Sequence, residues 1–152
     1  MKRTTGFKKK KGRIRSKKPN VDGIQFASNL EVYMYRELKK MKVPFTYEGQ
    51  TYVIVEGFHF PNTSFEKTAA KKFLHDVGNK NILPIKYTPD FVDKEYPPRF
   101  IIECKGHPND AFPLRWKLFK GFLVRNNINA TLFMPRNKKD CEETARLLKE
   151  ML

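Results

Sequence analysis

Apolar residues recur at a helical interval in Leu30, Met34, Leu38 and Met41, directly behind Ser28-Asn29-Leu30-Glu31. A serine followed three positions later by glutamate is a reciprocal N-terminal cap. Together the two patterns predict a helix over about 28–42, ended by Pro44. Phe45-Thr46-Tyr47 and Thr51-Tyr52-Val53-Ile54-Val55 are β-branched and aromatic runs separated by Gly49, which predicts two strands. A polar stretch with Pro61 and Asn62 leads into Phe65–Val77, where the pattern predicts a short helix with Phe73 and Leu74 facing inward. Residues 84–93 and 99–105 read as two further strands, joined by a turn at Lys94-Glu95-Tyr96-Pro97-Pro98. A helix is predicted from Pro113 to about Asn126 with Trp116, Phe119, Phe122 and Leu123 on its apolar stripe. Ala130–Met134 reads as a buried strand, broken by Pro135 and Asn137. Asp140–Leu152 closes the chain as an amphipathic helix through Ala145, Leu147, Leu148 and Met151. No internal repeat interrupts this order of helix, strand meander, helix, strand, helix.

Charge changes the picture at the N-terminus. The chain of 152 residues carries a formal net charge of +15, and +10 of it lies in residues 1–18, which hold no acid. The remainder keeps only +5. Residues 1–24 therefore read as a basic arm, mobile in isolation, and residues 25–152 as one domain. Lys8, Lys9, Lys10, Lys11, Arg13, Arg15, Lys17 and Lys18 suit a polyanion, with affinity drawn from released counterions. A solubilising or membrane-surface tail is the plainer alternative, but no amphipathic apolar face accompanies the charge. No apolar run has the length of a membrane span or a signal peptide, so the expected location is the cytoplasm, that of the host if the gene is phage-borne. Cys104 and Cys141 are too few for a disulfide framework, and with His59, His75 and His107 they show no zinc-finger spacing.

The chemistry concentrates in Tyr87-Thr88-Pro89-Asp90-Phe91 and Ile101-Ile102-Glu103-Cys104-Lys105-Gly106. Alternation along a strand puts Glu103 and Lys105 on one face and Ile102 and Cys104 on the other. A turn centred between Tyr96 and Pro97 sets Asp90 opposite Glu103, since antiparallel partners keep a constant sum of residue numbers. Two close carboxylates repel, and a divalent cation relieves that conflict. Mg²⁺ takes one or two carboxylates together with water and phosphate, and the Cys104 backbone carbonyl adds a further candidate ligand. Lys105 is placed to orient or deprotonate a water, or to stabilise charge on a phosphoryl group. Gly106 lets a nucleic-acid backbone pass close to the strand end. The plain alternatives are an ordinary turn acid at Asp90 and solvated surface charges at Glu103 and Lys105.

These residues resemble the motif of the PD-(D/E)xK, or restriction-endonuclease-like, nuclease superfamily. More narrowly, Phe26-Ala27-Ser28-Asn29-Leu30-Glu31, then Leu38 and Phe45-Thr46-Tyr47-Glu48, are similar to the phage endonuclease I branch of Holliday-junction-resolving enzymes. The resemblance spans roughly residues 26–106. It implies an α/β fold with a mixed sheet flanked by helices, in the order α-β-β-β-α-β-α with a small helical insertion at 56–83. It implies Mg²⁺- or Mn²⁺-dependent DNA hydrolysis leaving 5′-phosphate and 3′-hydroxyl ends. By position, Asp90 and Glu103 would be metal ligands and Lys105 the catalytic lysine. Glu31 would serve a second metal or its water, against its simpler role as a cap. Glu48 would add an outer contact, against that of an exposed strand-end acid. Arg115, Lys117 and Lys120 on the following helix are candidate phosphate contacts, with His107 and Asn109 at the mouth of the cleft. The expected partner is branched or duplex DNA, and cutting both strands symmetrically favours a homodimer. The insertion departs from the branch and puts junction specificity in question. A general, repair, restriction or transposon-end nuclease, and a non-catalytic basic nucleic-acid-binding protein, are the competing readings.

Overall fold

The computed structural model describes residues 18–107 and 109–152. Of the basic arm, only Lys18 lies among them, and it is exposed. Lys8, Lys9, Lys10, Lys11, Arg13, Arg15 and Lys17 lie outside the described residues.

Part of the segment assigned to the arm forms regular structure. Asn20–Val21 (β1) and Ile24–Gln25 (β2) pair as a small hairpin, which shortens the arm assigned to residues 1–24. Its turn is Asp22-Gly23, both at positive φ, 53° and 79°. This is the dipeptide that supplies a tight two-residue hairpin turn at low steric cost. Asp22 anchors the hairpin by accepting from the Tyr35 hydroxyl and from Lys39, each at 2.8 Å.

Helix α1 (Asn29–Lys40) starts at Ser28, whose hydroxyl accepts from the Glu31 amide at 3.2 Å. The strands that follow are Phe45–Tyr47 (β3), Tyr52–Val55 (β4), Phe58–Phe60 (β5), Phe65–Glu66 (β6), His75–Asp76 (β7), Lys80–Ile82 (β8), Ile85–Tyr87 (β9), Phe91–Asp93 (β10) and Phe100–Ile102 (β11). Helix α2 (Phe112–Arg125), strand β12 (Thr131–Phe133) and helix α3 (Lys138–Met151) complete the described chain.

The central sheet is mixed, in the order β12-β11-β10-β3, with β11–β12 parallel and the other pairs antiparallel. Both its faces are covered, which explains why β11 is a continuous apolar run and β10 is apolar up to its last residue, Asp93. Alternation divides their side chains cleanly. Phe91, Phe100 and Ile102 face α1 and α3, packing with Phe26, Met34, Leu38, Ala145 and Leu148. Val92 and Ile101 face α2, packing with Tyr52, Ile54, Tyr87, Trp116 and Phe119. In α3 the inward stripe runs through Cys141, Ala145 and Leu148, whereas Leu147 and Met151 stay largely exposed.

The segment 56–83 corrects one expectation, for it holds no helix. β4–β9, β5–β8 and β6–β7 are successive antiparallel pairs that continue one another as a single hairpin arm. The register slips by one residue at Ile54 and again at Pro61, so the arm carries two bulges. Main-chain bonds from Asn79 to Asn62 and from Val77 to Ser64 bridge the interval between the outer pairs. Phe73 and Leu74, expected to face inward, are each 62% exposed. The observed order thus replaces the small helical insertion with a β-arm and breaks the predicted strand 84–93 at Thr88-Pro89-Asp90.

Candidate active site

The hairpin β10–β11 pairs Phe91 with Ile102 and Val92 with Ile101. Continued one residue past the ladder, that register sets Asp90 opposite Glu103, as the turn at Tyr96-Pro97 predicts. The register is pinned at the turn by Asp93, whose carboxylate accepts from the Arg99 amide at 3.0 Å and from the Arg99 Nε at 2.5 Å. Burial pushes the Asp93 carboxyl up, but the bonds from Arg99 and Glu95 outweigh it and leave the group below the usual carboxylate range.

At the open end of the hairpin, the Cys104 amide donates to Asp90 Oδ2 at 2.6 Å. The Cys104 thiol turns into the core beside Cys141, so of its polar atoms the carbonyl remains the candidate ligand. Glu103 and Lys105 extend the parallel pairing with β12, donating their amides to the Phe133 and Pro135 carbonyls at 3.0 Å. Lys105 Nζ lies 3.5 Å from Glu103 Oε1 and 4.6 Å from the centre of the Phe112 ring. These contacts hold the ammonium against the carboxylate by charge on one side and an aromatic face on the other.

Glu103 is 6% exposed, and its Oε2 has no hydrogen-bond partner among the described residues. The Tyr87 hydroxyl shares that condition. It stands beside Glu103, and burial, followed by the charge and the hydrogen-bonding influence of Glu103, pushes its pKa upward. Burial also raises the Glu103 carboxyl, opposed by Tyr87 and by the Lys105 charge. Asp90 is pushed up to about 8, first by burial and then by the charges of Glu103 and Glu31. A buried polar atom left unpaired costs roughly 1–3 kcal/mol, more when charged, so its retention calls for an explanation.

Glu31 stands close enough to act electrostatically on Asp90, but its carboxylate is already engaged. Oε1 accepts from the Ser28 hydroxyl at 2.7 Å, and Oε2 accepts from the Ala27 amide at 2.9 Å and the Tyr47 hydroxyl at 2.7 Å. The capping role is therefore built into the fold, and any role at a metal would have to be added to these three bonds. Glu48 is exposed at a strand end, with φ at 45°, and serves the site through its amide, which donates to the Asp90 carbonyl at 2.8 Å.

A cleft of about 490 Å³ opens over this hairpin end, lined by Thr51, Lys86, Tyr87, Thr88, Glu103, Lys105, Asn109, Phe112 and Arg115. Asp90 is not among its walls. Arg115 crosses the cleft to donate to the Lys86 carbonyl at 2.5 Å and lies 5.8 Å from the centre of the Tyr87 ring. Lys117 and Lys120 sit instead in an adjoining groove with Lys105, Trp116, Met134 and Arg136. The three candidate phosphate contacts of α2, Arg115, Lys117 and Lys120, thus divide between two neighbouring hollows that meet at Lys105 and Phe112. Asn109 lines the cleft while its Oδ1 accepts from the Phe112 amide at 2.9 Å, and His107 is exposed beside it.

Sequence reasoning passed over Tyr87 and Thr51 as wall residues. Tyr87 carried a usable signal: it lies three positions before Asp90 at the end of a strand whose partner, Tyr52, is equally aromatic. Thr51 had none, because it reaches the cleft only through its 2.7 Å contact with Thr88 across the base of the arm.

Among the described residues, no three His, Cys, Asp or Glu side chains are grouped to enclose a metal ion. Asp90 and Glu103 form a carboxylate pair. Such a pair fits a hard cation that keeps most of its ligands as water and substrate oxygen, of which Mg²⁺ is the type. The unpartnered Glu103 Oε2 and the raised Asp90 are what such an ion would relieve. No helix among the described residues is long and apolar enough to cross a membrane. Compared with known protein families, with curated proteins and with solved structures, the chain matches none significantly.

Proposed function

We propose that the chain is a divalent-metal-dependent DNA endonuclease whose site is the Asp90–Glu103–Lys105 constellation. One observation carries this reading: the buried Glu103 carboxylate, whose Oε2 has no well-formed hydrogen bond among the described residues, stands level with Asp90 by strand register and 3.5 Å from the Lys105 ammonium. A purely structural buried acid would be expected to engage both oxygens, as Asp93 does in the same hairpin.

Asp90 and Glu103 would hold the cation, with the Cys104 carbonyl beside them. When bound, a divalent cation polarises a phosphodiester and lowers the pKa of an attached water. The chain's own groups supply the rest. Lys105 holds its ammonium at the mouth of the pair, where it orients the attacking water or offsets negative charge accumulating on the phosphoryl oxygens. The Phe112 ring fixes the direction of that ammonium. Arg115 and Lys86 form a basic cleft wall that fits the phosphate on one side of the scissile bond, and Lys117 and Lys120 fit phosphates in the adjoining groove. Selectivity for branched DNA, a restriction-endonuclease-like core and assembly as a dimer are finer parts of the same proposal.

Calorimetric titration of the full chain with Mg²⁺ and Mn²⁺ tests the site without relying on turnover. The parent should bind a divalent ion, and Glu103→Gln should weaken binding by at least tenfold. Equal binding by both would remove the pair as the metal site. Cleavage of a four-way junction, a linear duplex and single-stranded DNA, with metal or with EDTA, then sorts the substrate. Equal cutting of junction and linear duplex would transfer the proposal to a general nuclease.

A further inference from the structure

The hairpin arm is the largest feature that the proposed chemistry leaves unused. Its base forms one wall of the cleft, through Thr51, Lys86, Tyr87 and Thr88. From Tyr52 to Phe65, at about 3.3 Å per residue, it extends at most roughly 40 Å from that wall. It is built to hold its form. Asp76 Oδ1 accepts from the Ser64 and Gly78 amides at 3.0 and 2.8 Å. A Cβ on Gly78 would fall 2.0 Å from the Asn62 carbonyl, so the two strands close there only over a glycine. At the tip the Thr68 amide donates to the Lys71 carbonyl, and the Lys71 amide to the Thr68 hydroxyl, both at 3.2 Å.

The tip combines two properties that a merely solvated loop does not need. Lys67, Lys71 and Lys72 are all exposed, and no acid lies between residues 67 and 74. Phe65, Phe73 and Leu74 are 64%, 62% and 62% exposed around them. The flanking acids keep their charge but are tied into the arm itself. Asp76 binds the backbone amides above, and Glu66 accepts from the Ser64 hydroxyl at 2.7 Å.

We propose that the arm is a remote grip for the DNA duplex whose scissile bond lies in the cleft. Its tip lysines contact phosphates and its exposed Phe and Leu side chains contact the apolar edge of a groove. This rests on the reading of the cleft as a nucleic-acid site. Three observations favour DNA as the occupant. The tip is cationic, as a polyanion requires. Cations beside exposed apolar wedges are the combination found where β-ribbons and loops enter a groove. The arm is also continuous with a cleft wall that carries Lys86, whose carbonyl accepts from Arg115 of α2. At 3.4 Å per base pair, 40 Å corresponds to about twelve base pairs, so the grip acts only on a duplex long enough to reach it.

The test uses the full chain in EDTA, so that binding is read without cutting. Fluorescence anisotropy compares a hairpin-capped duplex of about eight base pairs with a duplex of about thirty, at several salt concentrations. The tip variant is Lys67→Ser/Lys71→Ser/Lys72→Ser, and Phe73→Ser is a second, uncharged probe of the same surface. On the long duplex the triple variant should raise the Kd at least tenfold at physiological salt and reduce the salt slope by about 2–3. On the short duplex the change should stay within twofold. Phe73→Ser should weaken long-duplex binding severalfold and leave the salt slope unchanged. Unchanged affinity for the long duplex, or an equal loss on both lengths, overturns the proposal. So does a result in which the tip variants alter only sedimentation as an oligomer, or only binding to anionic phospholipid vesicles. Metal-dependent cutting of the short duplex reports on the cleft alone, so a failed grip on a working nuclease is distinguishable from a failed nuclease.

Discussion

Two antiparallel hairpins in this protein share a topology and differ in almost everything else. The β10–β11 hairpin is covered on both faces, and Phe91, Val92, Phe100, Ile101 and Ile102 are each at most 1% exposed. The arm of β4 to β9 leaves its base against α2 and sends its outer pairs into solvent, with Phe58, Phe65 and Phe73 more than half exposed. Burial fixes register, because a slip of one residue would turn every apolar side chain to the wrong face. In β10–β11 that constraint brings Asp90 level with Glu103. The arm carries one bulge at its buried base, at Ile54, and a second in its exposed part, at Pro61. The same ladder thus makes a precise site where it is enclosed and a solvent-facing surface where it is not.

Truncating the enclosed hairpin should have the largest effect. Ile101→Ala removes a fully buried side chain between Tyr87, Trp116 and Phe119 and should cost about 3–4 kcal/mol in urea unfolding. A loss below about 1 kcal/mol would mean that the core repacks and that the contrast between the hairpins is overstated.

The next effect depends on pH. The Asp90 carboxyl has an ordinary value of 3.8 and is held near 8 in the fold. The folded chain therefore binds this proton more tightly than the unfolded chain does. The stability that this proton contributes is complete below about pH 4, is lost as pH rises towards 8, and does not change above that. In EDTA, Asp90→Asn should remove most of this decline and stabilise the protein at pH 8 by a few kcal/mol at most. A parent whose metal-free stability does not fall between pH 5 and pH 8 would contradict the strained carboxylate pair.

Arg99→Ala should come third, with a loss smaller than that of Ile101→Ala, because it leaves the buried Asp93 with backbone donors alone. The Asp93 value is depressed, so its contribution is present above pH 3.8 and is lost as pH falls below it. The cost of Arg99→Ala should accordingly shrink in acid, and a cost independent of pH would assign Arg99 to packing.

The smallest effect belongs to the arm. Phe65→Ser should change global stability by less than about 0.5 kcal/mol, since the ring is 64% exposed. A loss comparable to that of Ile101→Ala would show that the arm is packed against another surface in solution.

This contrast also explains what could be read from the sequence. The three helices, the central strands and the Asp90–Glu103 register were legible, because enclosed elements carry their environment in their pattern of apolar residues. The cap at Ser28 and Glu31 was legible for a local reason, since both partners lie within one turn. The arm departs from the predicted short helix because Phe73 and Leu74, read as inward-facing, are exposed, and exposure leaves apolar positions uninformative about period. Its signal lay in the turn residues Pro61-Asn62 and Gly78-Asn79, with Asn79 at φ 45°. The Asp22-Gly23 hairpin was hidden by the neighbouring charge run, which drew attention to composition and away from a two-residue turn. Thr51 and Tyr87 joined the cleft through long-range pairing that local pattern does not encode.

The most direct test of the central claim is cleavage of labelled DNA by the parent and by Asp90→Asn, each with Mg²⁺ and with EDTA. The account predicts cutting by the parent only when metal is present, and a loss of at least about a thousandfold in Asp90→Asn, which keeps the fold but removes a charge from the pair. Cutting by Asp90→Asn at the parental rate, or by the parent in EDTA, would contradict it.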